Sequence, residues 1–269
     1  MTQGRLDVVG LGISIPRHTS KFTESQIRHA DQVYYLVAHP VAEEYLEGLN
    51  PKARSLQRHY HEQSSRPKSY RAMTDEVVSA VAAGQRVVLA LYGHPNVFAS
   101  ISKWSVNEVR ALGLPAQNHP GIGADDCLIA DLNIDPGNRG MSHFEAGFLS
   151  MFQVPPTPHC YMVLWQIAVA GDTSCTSFEG DASQRQVLVD KLLKYYPEDH
   201  PVCLYEAATL PVTEPRMDWV ALKNLARAPM KQYTTAVMPP CEELVPDEEA
   251  LARLGATVDD IREKISNRS

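Results

Sequence analysis

The chain has 269 residues, 44% hydrophobic and 21% charged, enough apolar material for one large domain or two modest α/β lobes. Its formal net charge of −7, with no basic run, argues against a nucleic-acid surface, because neutralising phosphates takes clustered Lys and Arg. The five cysteines (Cys127, Cys160, Cys175, Cys203, Cys241) are scattered and never spaced C-x-x-C. With no apolar run long enough to span a bilayer and no signal-peptide pattern, the expectation is a soluble cytoplasmic protein with reduced thiols.

In chain order, LDVVGLG reads as a strand ending in a glycine turn. Thr23 and Gln26 form a T-x-x-Q capping box that opens a short helix, and QVYYLVA is the next strand. Thr74 is expected to cap a longer helix, with Asp75 and Glu76 in its first turn and Gly84 as its stop. RVVLALYG follows as a buried strand, and the Pro- and Gly-rich PAQNHPGIGADD reads as the crossing between lobes. HCYMVLWQIAVAG, PVCLYEAAT and YTTAVMPP are strands; SQRQVLVDKLLKYY and DWVALKNLA are helices between them. The tail is polar, with Asp247 opening a helix, Gly255 stopping it and VDDIREKIS beyond. Such alternation predicts α/β architecture with largely parallel sheets.

Three glycine-bearing segments follow strands. GLGIS (10–14) is not G-x-G-x-x-G, since Ile15 takes the last glycine's place, yet it lies where open α/β sheets put ligands. YGHP (92–95) and HPGIGADDCL (119–128) could likewise bring backbone N–H groups close to a ligand, and neither holds a Walker lysine. QRHYHEQSSRPKSY (57–70) is a polar stretch, where His59, His61 and Glu62 suggest a metal but a solvated loop is the plainer reading. Asp125 and Asp126 could also hold a cation, though acids are favoured at a helix N-terminus in any case. The residues alone thus give a two-lobed α/β protein with glycine loops aimed at a cleft, and no substrate.

Taken in order and spacing, G-L-G-I, ALYGHPNVFA, HPGIGADDCLIADLNIDPGN, VLWQIAVAGD and YTTAVMPP resemble the tetrapyrrole methylase-like (class III) S-adenosylmethionine-dependent methyltransferases. Gly93-His94-Pro95, where the broader class has Gly-Asp-Pro, resembles the borosin peptide backbone α-N-methyltransferases within it. The resemblance implies a two-lobed α/β/α fold: an N-terminal lobe over 1–116 carrying a catalytic loop at 57–70, a C-terminal lobe over 117–240, and a short helical tail over 241–269. It also implies S-adenosylmethionine between the lobes, S-adenosylhomocysteine as product, no metal, and an intertwined homodimer. By the Tyr-x5-Arg-x3-Tyr spacing, Tyr60, Arg66 and Tyr70 match the family's catalytic residues, and Tyr92 matches the tyrosine near the methyl donor. Tyr92, Gly93, His94, Pro95, Val97, Gly123, Ala124, Gln166, Tyr205 and Thr235 fall on cofactor-site positions. Gln57 stands where some members have another tyrosine, Asn96 replaces a glycine, and Gly123 replaces a serine that could offer a hydroxyl contact.

An amide nitrogen is a poor nucleophile, so its methylation requires loss of the N–H proton or stabilisation of the imidate form. A phenol beside Arg66 suits both tasks, the cation depressing a tyrosine pKa and steadying the developing oxyanion. The short, charged tail is a poor match for the extended core peptide of fused borosin enzymes. The expected substrate is therefore a separate precursor peptide acting in trans, in a possible heterotetramer, with no nucleic-acid or membrane partner. The alternatives are a small-molecule, tetrapyrrole-like methyltransferase and a non-catalytic relative that binds cofactor or peptide.

Overall fold

Nearly continuous apolar runs along β1 (Arg5–Gly10), β2 (Gln32–Leu36) and β4 (Arg86–Leu91), whose successive side chains point to opposite sides, give the first sheet two buried faces. The computed structural model describes residues 3–62, 65–173 and 180–266, with side chains to 262; Cys175 lies outside the described residues. It divides into two compact units, residues 1–128 with 207–214, and residues 129–206 with 215–269. The division falls beyond the boundary expected after residue 116, because the strand starting there pairs with β1.

The first unit also contains α1 (Lys21–Arg28), α2 (Pro40–Leu49), β3 (Ala53–Ser55), α3 (Arg58–Glu62), α4 (Arg66–Ala82), α5 (Ser100–Ala111), β5 (Ala116–His119) and the start of α6 (Ala124–Asp131). Its sheet runs β3-β2-β4-β1-β5, every pair parallel. Leu6, Val8, Val87, Leu89 and Leu91 pack on one face against Met73, Val77 and Val81 of α4 and Ile101, Val106 and Val109 of α5. Val9, Val33, Tyr35, Val88 and Ala90 pack on the other against Ile27 of α1 and Ala42 and Leu46 of α2. The result is an α/β/α layering in which truncating a core residue such as Leu89 to alanine costs about 2–5 kcal/mol.

The second unit carries α7 (Pro136–Arg139), β6 (Met141–Glu145), α8 (Ala146–Met151), β7 (Tyr161–Trp165), α9 (Ala182–Leu192), β8 (Pro201–Glu206), β9 (Arg216–Ala221), β10 (Thr235–Met238), α10 (Glu248–Arg253) and α11 (Val258–Ser266). Its sheet runs β6-β7-β10-β8-β9. Only β6 and β7 pair in parallel; the other three pairs are antiparallel, so the expectation of largely parallel sheets holds for the first sheet alone. The connection from β8 to β9 is short, which suits antiparallel neighbours, whereas parallel ones need a crossover. Leu149, Met162, Leu164, Leu188, Leu204 and Ala236 form its core.

Several local expectations shift. Ser20, not Thr23, caps α1, its hydroxyl accepting from the Thr23 N–H, and Gln26 turns away to take a bond from Arg86. Thr74 caps nothing: it is buried inside α4, and its hydroxyl bonds back to the Tyr70 carbonyl, a competing local bond open to threonine. Gly84, at φ 88°, ends that helix as expected. DWVALKNLA is not an α-helix; Asp218 to Ala221 complete the edge strand β9, and Leu222–Arg227 form a 3-10 turn. Leu222, Leu225 and Ala226 are buried, so the helical spacing was real but served a tighter turn. Asp247 and Gly255 bound α10 as expected.

Asp7, on β1 between β4 and β5, is fully buried and ionic. Arg5 grips it through two nitrogens at 2.7 and 2.8 Å, and His119 of β5 meets it at 2.9 Å. Burial pushes its carboxyl pKa up, but the bonds and charges of Arg5 and His119 outweigh it and hold the pKa below the ordinary value. A depressed folded pKa gives stability that is present above the unfolded value, about 3.9, and lost as pH falls through the folded one. Asp7→Asn is expected to lower stability at pH 7 by about 2 kcal/mol, the scale of a lost charged hydrogen bond. The variant should also lose less stability than the parent between pH 4 and 2, which urea titrations across that range would measure.

Candidate active site

Parallel sheets end with all their carboxyl termini on one edge, and in the first unit three glycine segments meet there. The Gly12 and Gly93 backbones pair across β1 and β4, with Gly93 N–H to Gly12 O at 2.9 Å and the reverse bond at 3.4 Å. A Cβ on Gly10 would lie 2.6 Å from the Gly121 nitrogen and 2.7 Å from the Gly93 oxygen; a Cβ on Gly121 would meet Gly10 and Gly93 at 2.7 Å. Any larger residue at 10 or 121 would drive these loops apart. The contact leaves a floor of bare main chain, rimmed by the exposed side chains of Tyr92, Val97, Phe98 and Ile122. Gly10 and Gly121 were absent from the expected site residues, although both sat inside segments the sequence singled out.

The YGHP loop is braced from behind. The His94 imidazole accepts from the Asn96 N–H at 3.2 Å, and the Val97 N–H bonds to the His94 carbonyl at 3.1 Å. The fully buried Ser102 hydroxyl lies 2.9 Å from the Asn96 amide oxygen and 3.0 Å from that of Asn118. Having one hydrogen, it donates to one amide and accepts from the NH2 of the other once that amide is turned. Asn96 thus has a role that glycine could not fill. Gly123 is buried and its N–H donates to the Asp126 carboxylate at 2.6 Å, just before Ala124 opens α6. Asp126 thereby supplies a cap that explains one of the two acids there.

The 57–70 stretch is not a loop. Arg58–Glu62 is helical, α4 begins at Arg66, and only residues 63 and 64 fall outside the described residues. His59 is buried, with its ring nitrogens 2.8 Å from Glu76 and 3.3 Å from Glu62, and Arg58 also binds Glu76. The histidine of the suspected metal motif therefore ties α3 to α4. Among the described residues no group of three or more His, Cys, Asp or Glu is disposed to hold a metal ion.

This tie brings Tyr60 beside Tyr70, their rings perpendicular with centroids 6.0 Å apart. Burial pushes the Tyr60 phenol well up, and the Tyr70 phenol, then Tyr92, push it further; only Arg66 pulls down. The Tyr92 phenol is raised as well, by burial and then by Tyr70. Its ring is 56% exposed, so solvent screens that push and the direction alone is used. The expected depression of a tyrosine pKa by Arg66 is thus present for Tyr60 but outweighed, and at neutral pH that hydroxyl keeps its proton. Arg66 occupies the first position of α4, whose first turn holds no acid. A cation at a helix N-terminus is unfavourable for the helix, so guanidinium and macrodipole concentrate positive potential in one corner.

In the second unit, Gln166 directly follows β7 at φ 56°, a left-handed conformation uncommon for a residue with a side chain. Tyr205 and Thr235 face each other across β8 and β10; both are buried, and the Tyr205 hydroxyl donates to Asp131 at 2.7 Å.

A three-layered parallel unit with glycine loops at its carboxyl edge, followed by a mixed sheet, is an architecture that comparison with known proteins identifies. The chain belongs to the tetrapyrrole (corrin/porphyrin) methylase family, whose model matches residues 5–217. It is 36% identical over 217 residues, 80% of this chain, to a methyltransferase/ribosomally synthesized cyclic peptide lentinulin A precursor from Lentinula edodes. It is 31% identical over 260 residues, 94% of this chain, to a methyltransferase/type I borosin cyclic peptide precursor from Serendipita vermifera subsp. bescii. The chain spans 52% and 63% of the lengths of these two relatives. In fold it is similar to uroporphyrin-III-C-methyltransferase from Thermus thermophilus, with a TM-score of 0.64, 16% identity, and coverage of 89% of this chain and 93% of that one.

Replacing Gly121 with alanine should lower stability by about 1–3 kcal/mol, because the new methyl group meets backbone that cannot give way. Gly48→Ala in α2, where a Cβ meets nothing within 4 Å, is the control and should gain about 0.5–1 kcal/mol. Thermal or urea unfolding of the two variants checks the contrast.

Proposed function

We propose that this protein is an S-adenosylmethionine-dependent enzyme that methylates backbone amide nitrogens of a ribosomally made precursor peptide presented from outside residues 1–269. The observation that carries this reading is the convergence of Tyr60, Arg66, Tyr70 and Tyr92 beside the glycine floor. The relatives' names, which join a methyltransferase to a cyclic-peptide precursor, support it. Residues 247–266 are largely built into α10 and α11, so that stretch is not an extended substrate strand.

The bare main chain of Gly93 and Gly121, with Tyr92 and Val97 alongside, fits an organic cofactor carrying both apolar and hydrogen-bonding parts. In the first unit, Gly93, His94, Pro95, Val97, Gly123 and Ala124 would hold it. When bound, S-adenosylmethionine supplies an electrophilic methyl group on a sulfonium.

The protein's own residues handle the amide. Tyr60 keeps its proton and so donates a hydrogen bond to the substrate carbonyl oxygen as negative charge develops there. Arg66 and the N-terminus of α4 steady the same charge. Tyr70, entering the step as a phenolate, takes the amide proton as the nitrogen attacks the methyl group, and leaves it as a phenol. Homodimerisation, formation of a heterotetramer with the precursor and a cytoplasmic location complete the reading. No helix among the described residues is long and apolar enough to cross a membrane.

The test is intact mass after incubation with S-adenosylmethionine and peptides encoded by open reading frames adjoining the gene. Gains of one methyl on peptide nitrogens are the expected result. Methylation of a tetrapyrrole instead, or cofactor binding with no transfer to any of them, would replace this reading. Tyr70→Phe and Arg66→Lys should each cut turnover by about 10²–10⁴-fold while cofactor affinity by calorimetry stays near that of the parent.

A further inference from the structure

The row of rings does not stop at Tyr70. Trp104, on α5, meets it edge-on, with centroids 6.3 Å apart and planes at 85°. Tyr70 is therefore held between two perpendicular rings, Tyr60 and Trp104. Edge-to-face packing constrains rotation about both side-chain torsions, and so fixes where a phenol's hydroxyl points.

The indole is itself fixed. The Arg71 guanidinium lies 6.0 Å from the Trp104 ring centre. Arg71 is gripped at both ends of its fork by Glu108, at 2.5 and 2.8 Å, and by Asp75 at 2.7 Å. Glu108 lies one helical turn beyond Trp104 on α5, whereas Arg71 is the residue after Tyr70 on α4. One ion pair thus locks the two helices in the register that presents indole to phenol. A partly exposed pair of this kind adds little to stability, typically below about 1 kcal/mol, so its geometric effect outweighs its energetic one.

We infer that Trp104 is the positioning residue for Tyr70, aiming its hydroxyl at the substrate amide, and that the Arg71–Glu108 pair sets Trp104. This inference rests on the role proposed for Tyr70. Proton removal from a weak acid requires the acceptor within hydrogen-bond reach, and a small misdirection of the phenol costs rate without touching cofactor contacts.

The experiment uses the full chain labelled with 3-fluorotyrosine, the Tyr70 resonance being the one lost in Tyr70→Phe. In Trp104→Leu and in Arg71→Met that resonance should shift and broaden. Turnover of the peptide identified by mass should fall about 10–100-fold in Trp104→Leu, with cofactor affinity unchanged within about twofold. Trp104→Phe, which restores an aromatic edge, should recover most of the turnover. A Tyr70 resonance unmoved in both Trp104→Leu and Arg71→Met overturns the inference, as does a loss of turnover matched by an equal loss of cofactor affinity. If Trp104→Leu does not fold, Arg71→Met decides alone, because it leaves the indole in place. Normal turnover in Tyr70→Phe would overturn the role of Tyr70, and with it this inference. Loss in Tyr70→Phe with an unmoved resonance in the other variants would overturn this inference only.

Discussion

The first unit depends on backbone touching backbone. Where Gly10, Gly93 and Gly121 meet, peptide groups from β1, β4 and β5 come within a distance that no side chain permits. The parallel sheet makes this possible by delivering three strand ends to one edge, and the glycines let the chains close up once there. Everything else at that edge is arranged around the contact. The Asn96–Ser102–Asn118 bonds brace one loop, Asp126 anchors another, and the apolar rim projects from the same segments.

Beside this rigid floor lies an electrostatic arrangement of a different kind. Burial first, and then the neighbouring phenols, make Tyr60 and Tyr92 harder to ionise, and Arg66 only partly offsets that for Tyr60. Tyr60 and Tyr92 therefore behave as hydrogen-bond donors beside a positive corner, which suits an electron-rich oxygen. The scaffold for this arrangement is the α3–α4 pair, closed by the His59–Glu76 contact and by Arg58.

Much of the first unit was legible in the sequence because its strands are continuous apolar runs, and buried parallel strands read that way. The glycine segments were legible too, since each follows such a run. What escaped has physical reasons. Arg58 to Tyr70 looks like a polar loop because α3 is only 5 residues long, only the polar first turn of α4 falls in it, and its packing contacts are made by a histidine and tyrosines. Thr74 carries a cap residue's chemistry but spends its hydroxyl on the preceding turn. Asp218 to Ala226 combines an edge strand, whose outer face is exposed, with buried residues at helical spacing in a 3-10 turn. Gly10 and Gly121 escaped as site residues because close approach is a property of three segments at once, and each alone is only a turn. Trp104 escaped for the same reason, being one apolar residue on a helix until Tyr70 and Arg71 are seen around it.

The buried Ser102 hydroxyl has an evolutionary corollary. It satisfies two amides from segments far apart in sequence, and neither partner can be exchanged alone without leaving a polar group stranded. Positions 96, 102 and 118 should therefore drift as a block among descendants of this chain, an asparagine at 96 travelling with its two companions. A glycine at 96 would offer Ser102 no amide, and the other two positions would then be free of that constraint.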